Sequence, residues 1–95
     1  MKRETLRERF KDADKRTVVN LIYDEWERPG STKRTQRRVN GVPLEDLFEK
    51  YGDWEFDGAY TVLLTKDRIE ADVWATATDH RAYREPEADS PGMDL

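Results

Sequence analysis

Five basic side chains, Arg28, Lys33, Arg34, Arg37 and Arg38, fall within eleven residues that contain no acid, RPGSTKRTQRR. Arginine and lysine at this density are what a phosphate backbone asks of a protein, and an affinity built on them is electrostatic and falls steeply with salt. The surrounding chain argues the other way. Its net charge is −4 and its pI is near 5.0, so long-range repulsion opposes a polyanion. The charge is also divided unevenly. Residues 1–44 hold twelve Lys/Arg against seven Asp/Glu, and residues 45–95 hold five against fourteen. Such asymmetry marks an anion-binding end, an acidic protein-binding end, or simply a polar molecule.

Catalytic chemistry has little to work with. His80 is the single histidine and lies between Asp79 and Arg81, beyond the last strand-forming run. A general base needs a positioned partner, and a lone loop histidine reads as a solvated side chain. Ser31 lies in a turn and Ser90 in the C-terminal stretch, neither within a nucleophile-elbow pattern. No H-x-x-H, phosphate-loop or calcium-loop spacing occurs, and there is no cysteine. No catalytic residue, metal ligand or cofactor is assigned. The expectation is a non-enzymatic protein, placed in the cytoplasm because no signal-like or membrane-spanning apolar run appears.

A third group of residues points to protein recognition. Leu63, Glu70, Asp72 and Trp74 fall on one side of a predicted hairpin, and tryptophan is enriched at interface centres. Cover by the N-terminal helix or by another chain is the competing account of Trp74.

These residues must be positioned by the elements around them. Ninety-five residues make one domain, expected over 1–84, with EPEADSPGMDL (85–95) as a disordered acidic tail. Thr5-x-x-Glu8 is a capping box that opens a short helix, with Leu6, Phe10 and Ala13 along one stripe. The run RTVVNLIYDEWE (16–27) is rich in strand formers and is followed by Pro29-Gly30, a turn signal. In VPLEDLFEKYG, Pro43 suits a helix start, Leu44, Leu47, Phe48 and Tyr51 form a stripe, and Gly52 reads as a left-handed terminator. Strands 57–65 and 68–78 turn at Lys66-Asp67, so that Leu64 faces Ile69, Val62 faces Ala71 and Tyr60 faces Val73 on the core side. Trp26 and Trp54 read as packing residues at element ends.

The order is α-β-β-α-β-β, an α+β fold with a four-stranded antiparallel sheet and two short helices on one face. With residues 29–32 as a loop, Glu27 faces Arg34, Asp24 faces Arg37, Tyr23 faces Arg38 and Ile22 faces Val39. Arg28, Lys33 and Arg38 are then left without an acidic cross-strand partner. A rival reading makes 17–27 and 32–39 a helix-turn-helix with 57–78 as a wing, and TQRRVNG resembles the recognition helices of some bacterial repressors.

Two functions follow as expectations. The first is a protein-interaction module of inhibitor, antitoxin-like or mobile-element-regulator type, using Leu63, Glu70, Asp72 and Trp74. Its partner is a protein, with a second copy of the chain among the candidates. The alternative is a nucleic-acid-binding domain that uses Arg28, Lys33, Arg34, Arg37 and Arg38.

Overall fold

The computed structural model describes residues 3–83; the tail expected at 85–95 and Ser90 lie outside the described residues. The elements run α1 (Leu6–Phe10), β1 (Thr17–Trp26), β2 (Arg34–Pro43), α2 (Leu44–Tyr51), β3 (Glu55–Leu64) and β4 (Ile69–Thr76), with a 3-10 turn at His80–Ala82. The α-β-β-α-β-β order and the α+β class are as read from the sequence. The helix-turn-helix is not formed, because both of its proposed helices are strands.

The four strands form one sheet in the order β2-β1-β4-β3. Both hairpins are antiparallel, but the central pair, β1 and β4, runs parallel from Thr17↔Ile69 to Ile22↔Trp74. The sheet is therefore mixed and not wholly antiparallel. The cause is the crossover: α2 carries the chain from one sheet edge to the other, so the second hairpin enters with its last strand beside the first. Hairpin chemistry fixes direction only within each hairpin.

Local signals explain the ends of the elements. The capping box forms, with the Glu8 amide donating to Thr5 Oγ1 at 3.2 Å and the Thr5 amide to Glu8 Oε1 at 2.9 Å. Pro43 sits at the N-cap of α2, Glu45 and Asp46 occupy the first turn and Lys50 the last. Gly52 departs from expectation. Its φ is −56°, ordinary right-handed helix. Glycine is required there for space, since an added Cβ would collide with the Phe48 carbonyl oxygen and the Arg7 guanidinium. The helix end is thus closed by α1 packing against it, with Arg7 donating to Phe48 O at 3.0 Å.

One face of the sheet carries both helices. Leu6 and Leu47 are buried among Val19, Leu21, Val42, Ala71, Val73 and Ala75, with Trp54 only 1% exposed at the centre. Tyr23 and Tyr51 pack edge-on against Trp54, each with ring centroids 4.9 Å away. The packing role read for Trp54 is the observed one.

Two irregularities change which side chains face where. In the second hairpin Leu64 does pair with Ile69, but Val62 is an extra residue at a bulge, so Thr61 pairs with Ala71 and Ala59 with Val73. Tyr60 pairs with Asp72 on the uncovered face and is 67% exposed, and Leu64, beyond the reach of the helices, is 70% exposed. The expected core triad of Tyr60, Val62 and Leu64 is therefore wrong on the β3 side and right on the β4 side. The first hairpin is slipped by one residue: Trp26 pairs with Arg34, Asp24 with Gln36, Tyr23 with Arg37, Ile22 with Arg38 and Leu21 with Val39. The Glu27 amide bonds to Lys33 O at 3.0 Å, which closes a five-residue loop over 28–32 where four residues were expected. Since side chains alternate, this slip moves each β2 side chain to the opposite face.

Candidate functional site

The uncovered face is built from alternate residues of all four strands. β1 contributes Val18, Asn20, Ile22, Asp24 and Trp26; β4 contributes Glu70, Asp72, Trp74 and Thr76. Their cross-strand neighbours are Arg34 and Arg38 on β2, and Gly58, Tyr60 and Leu63 on β3. Leu63, Glu70, Asp72 and Trp74 do share a face, and it is the face without helices. Trp74 is 38% exposed, and α1 lies on the other side of the sheet.

The centre of this face is polar and tightly bonded. Asn20 is buried and uses both ends of its amide: Nδ2 donates to Asp72 Oδ1 at 3.0 Å and Oδ1 accepts the Gly41 amide at 3.0 Å. Gly41 has φ +70°, a left-handed position at the bulge where Asn40 and Gly41 oppose Asn20, and this is why Asn-Gly stands there. Arg38 bonds to Asp72 Oδ1 at 2.8 Å and to Asn40 Oδ1 at 2.8 Å. Asp72 is thus held by two donors from two strands. Glu70 pairs with Arg68 at 3.0 Å.

The basic segment is largely neutralised. Arg34 pairs with Asp24 at 3.6 Å and its guanidinium lies 5.3 Å from the Trp26 ring centroid. Arg37 pairs with Glu25 at 3.7 Å on the helix-covered side, and Arg28 with Glu27 at 3.4 Å. The expected pairs Glu27–Arg34 and Asp24–Arg37 and the Tyr23–Arg38 contact are replaced, because the one-residue slip exchanges the neighbours. Of the three bases left over by the sequence reading, Arg28 and Arg38 have acidic partners. Lys33 has no ion pair among the described residues.

Beside Trp74, at the C-terminal ends of the parallel strands, the face deepens into a cavity of about 450 Å³. Trp26, Trp74 and Tyr83 give it aromatic walls, while Asp24, Arg34, Gln36, Asp57 and Thr76 give it polar ones; Ile22 forms its buried base. Thr76 Oγ1 bonds to Asp57 Oδ2 at 2.7 Å. After Thr76 the chain detours through the His80–Ala82 turn, and Tyr83 then pairs in parallel with Trp26, in line with the end of β4. The cavity was not visible from the sequence. Trp26 reads from the sequence as a packing residue, yet with Val19, Leu21 and Tyr23 facing the helices, strand alternation puts it on the same face as Trp74. Matching strand parity is the part of the signal present in the sequence; the pairing of Ile22 with Trp74 that brings the two tryptophans together comes from the parallel β1–β4 pair.

The detour is pinned by Asp79 and Arg81, which point away from this cavity toward the Trp54 end of the core. Arg81 pairs with Asp79 at 2.8 Å and stacks on Tyr51 and Trp54, and the Trp54 indole donates to Asp79 Oδ2 at 3.1 Å. Among the described residues no helix is long and apolar enough to cross a membrane, and no group of three or more His, Cys, Asp or Glu is placed to hold a metal ion.

No protein-family model matches this chain, and neither a curated protein nor a solved structure shows significant similarity to it.

Proposed function

We propose that the protein acts by binding another protein through the uncovered sheet face, without catalysing a reaction. The observation that carries this reading is Trp74, a large apolar side chain 38% exposed on a sheet face with no helix over it, at the rim of the cavity. Tryptophans in such partly desolvated positions supply much of the energy at interfaces. The cavity accepts an anchoring side chain of the partner. Leu63 and Tyr60 extend the apolar surface along β3, while Glu70 and Asp72 form a polar border whose charges are already oriented by Arg68, Arg38 and Asn20.

The second reading, a nucleic-acid grip on Arg28, Lys33, Arg34, Arg37 and Arg38, loses support from the ion pairs. Four of these five bases already face an acid, so a phosphate would have to displace Glu27, Asp24, Glu25 or Asp72. Lys33 is the base that favours it.

Paired pull-downs from a cell extract with the wild type and with Trp74→Ala test the first reading. The side chain is 38% exposed, so truncation costs about 1–3 kcal/mol, and circular dichroism of the variant checks that it is folded. A protein retained by the wild type and lost by the variant supports the proposal; equal retention by both removes it. Titration of tryptophan fluorescence with mixed-sequence DNA and RNA at low salt is the counterpart. Salt-sensitive binding abolished by Arg37→Glu with Arg38→Glu would transfer the function to the basic segment.

A further inference from the structure

The two edges of the sheet are built differently. β2, at one edge, carries Arg34, Arg37 and Arg38, a bulge with Gly41 in a left-handed conformation, and Pro43 at its end. Charges, bulges and prolines are the means by which edge strands avoid pairing with other chains. β3, at the other edge, is covered only at its start: the Phe56 amide donates to Glu4 O at 2.8 Å, and Thr5 forms a bridge with Glu55. From Asp57 to Leu64 its outer edge has no strand partner among the described residues. From Gly58 to Thr65 the chain reads GAYTVLLT, with no charge and no proline. Four of the six exposed large apolar residues of the described chain lie in this stretch: Tyr60, Val62, Leu63 and Leu64. Irregularities at Asp57 and Val62 bend the strand, and the one charge they bring, Asp57, is paired with Arg3 of the same chain.

We propose that the β3 edge pairs with the β3 edge of a second copy, antiparallel, joining two four-stranded sheets into one of eight strands. The second copy is favoured over a foreign strand by complementarity. A neutral segment paired with itself brings no like charges together. Antiparallel pairing about Thr61 and Val62 also sets Lys66 of each copy toward Asp57 of the other, opposite charges at both ends of the apolar run, with Asp57 already bonded to Arg3 and Thr76 of its own chain. Edge pairing with the four exposed apolar side chains of both copies removes at most on the order of 1,000 Å², the lower limit for a specific interface. The association is therefore concentration-dependent. It draws Tyr60 and Leu63 into the seam but leaves Trp74 and the cavity beside it open, so each copy retains those as its binding surface.

Sedimentation equilibrium on the full chain, from low to high micromolar concentration, reads this directly. The wild type is expected to pass from monomer to dimer. Val62→Lys and Leu64→Lys, each placing a charge on the edge, are expected to weaken the dimer at least tenfold. Leu64 is so exposed that its variant keeps the wild-type circular dichroism and melting temperature. Trp74→Ala is expected to dimerise as the wild type does, which separates this proposal from the partner-binding reading. A wild type that stays monomeric throughout, or a dimer indifferent to both lysines, overturns the proposal. So does a dimer lost in Trp74→Ala, which would place the contact on the open face.

Discussion

Burial alone would raise the Asp79 carboxyl, yet it is held down at about 2 by hydrogen bonds from the Arg81 side chain and backbone and from the Trp54 indole. The folded value lies below the ordinary one of about 3.9. The stabilisation is therefore present above pH ~4 and is lost as pH falls toward 2. Because the pair is about one-third exposed, solvent screening keeps its contribution small. Asp79→Asn is expected to cost about 1 kcal/mol at neutral pH, or about 4–8 °C in melting temperature. It should also flatten the acid limb of the stability curve below pH ~4. Thermal unfolding followed by tryptophan fluorescence across that range checks it; wild-type and variant curves running parallel to pH 2 would remove Asp79 as the source. In the sequence Asp79 and Arg81 stand out only as the flanks of a lone loop histidine. Asp79 and Arg81 anchor the chain to Trp54, and Tyr83 returns beside Trp26.

At the scale of elements, the two helices were readable because their signals are local: a capping box and an apolar stripe act within a few residues. Gly52 marks the limit of that reading. A left-handed glycine would tolerate asparagine, whereas a glycine chosen for space tolerates no side chain. Gly52→Ala and Gly52→Asn are both expected to destabilise by about 1–3 kcal/mol, since Phe48 O and Arg7 must move. Chemical denaturation of the two variants tests this, and an asparagine variant as stable as the wild type would restore the left-handed account. The strands show a parallel limit. Alternation correctly put Ala71 and Val73 in the core, but one bulge at Val62 and one slipped residue in the first hairpin reversed the facing of Tyr60 and of the basic segment. No local signal carries a one-residue register change when the charge pairs on both registers are chemically acceptable, as Asp24 with Arg37 and Asp24 with Arg34 both are.

For the whole molecule, stability rests on a small core beneath two short helices, and only β1 and β4 are bonded on both sides. Amides of Val19, Leu21, Ala71 and Val73 are expected to exchange with solvent most slowly, at rates set by global unfolding, while β2 exchanges through local fraying. Hydrogen exchange by NMR decides it. If β2 outlasted β4, the first hairpin and not the parallel pair would be the last structure to open. The same architecture places Trp26, Trp74 and Tyr83 together, from three separated parts of the chain.

The amino-acid order by itself determined the element sequence, the helix starts, the buried role of Trp54 and the grouping of Leu63, Glu70, Asp72 and Trp74 on one strand face. All of these follow from periodicity and capping, which act over a few residues. Only the tertiary structure decided that β1 and β4 run parallel, that Arg38 belongs to Asp72, and that a cavity opens beside Trp74. Each of those depends on where an edge-to-edge crossover places residues some thirty to fifty positions apart. Packing settles that, and no local pattern encodes it.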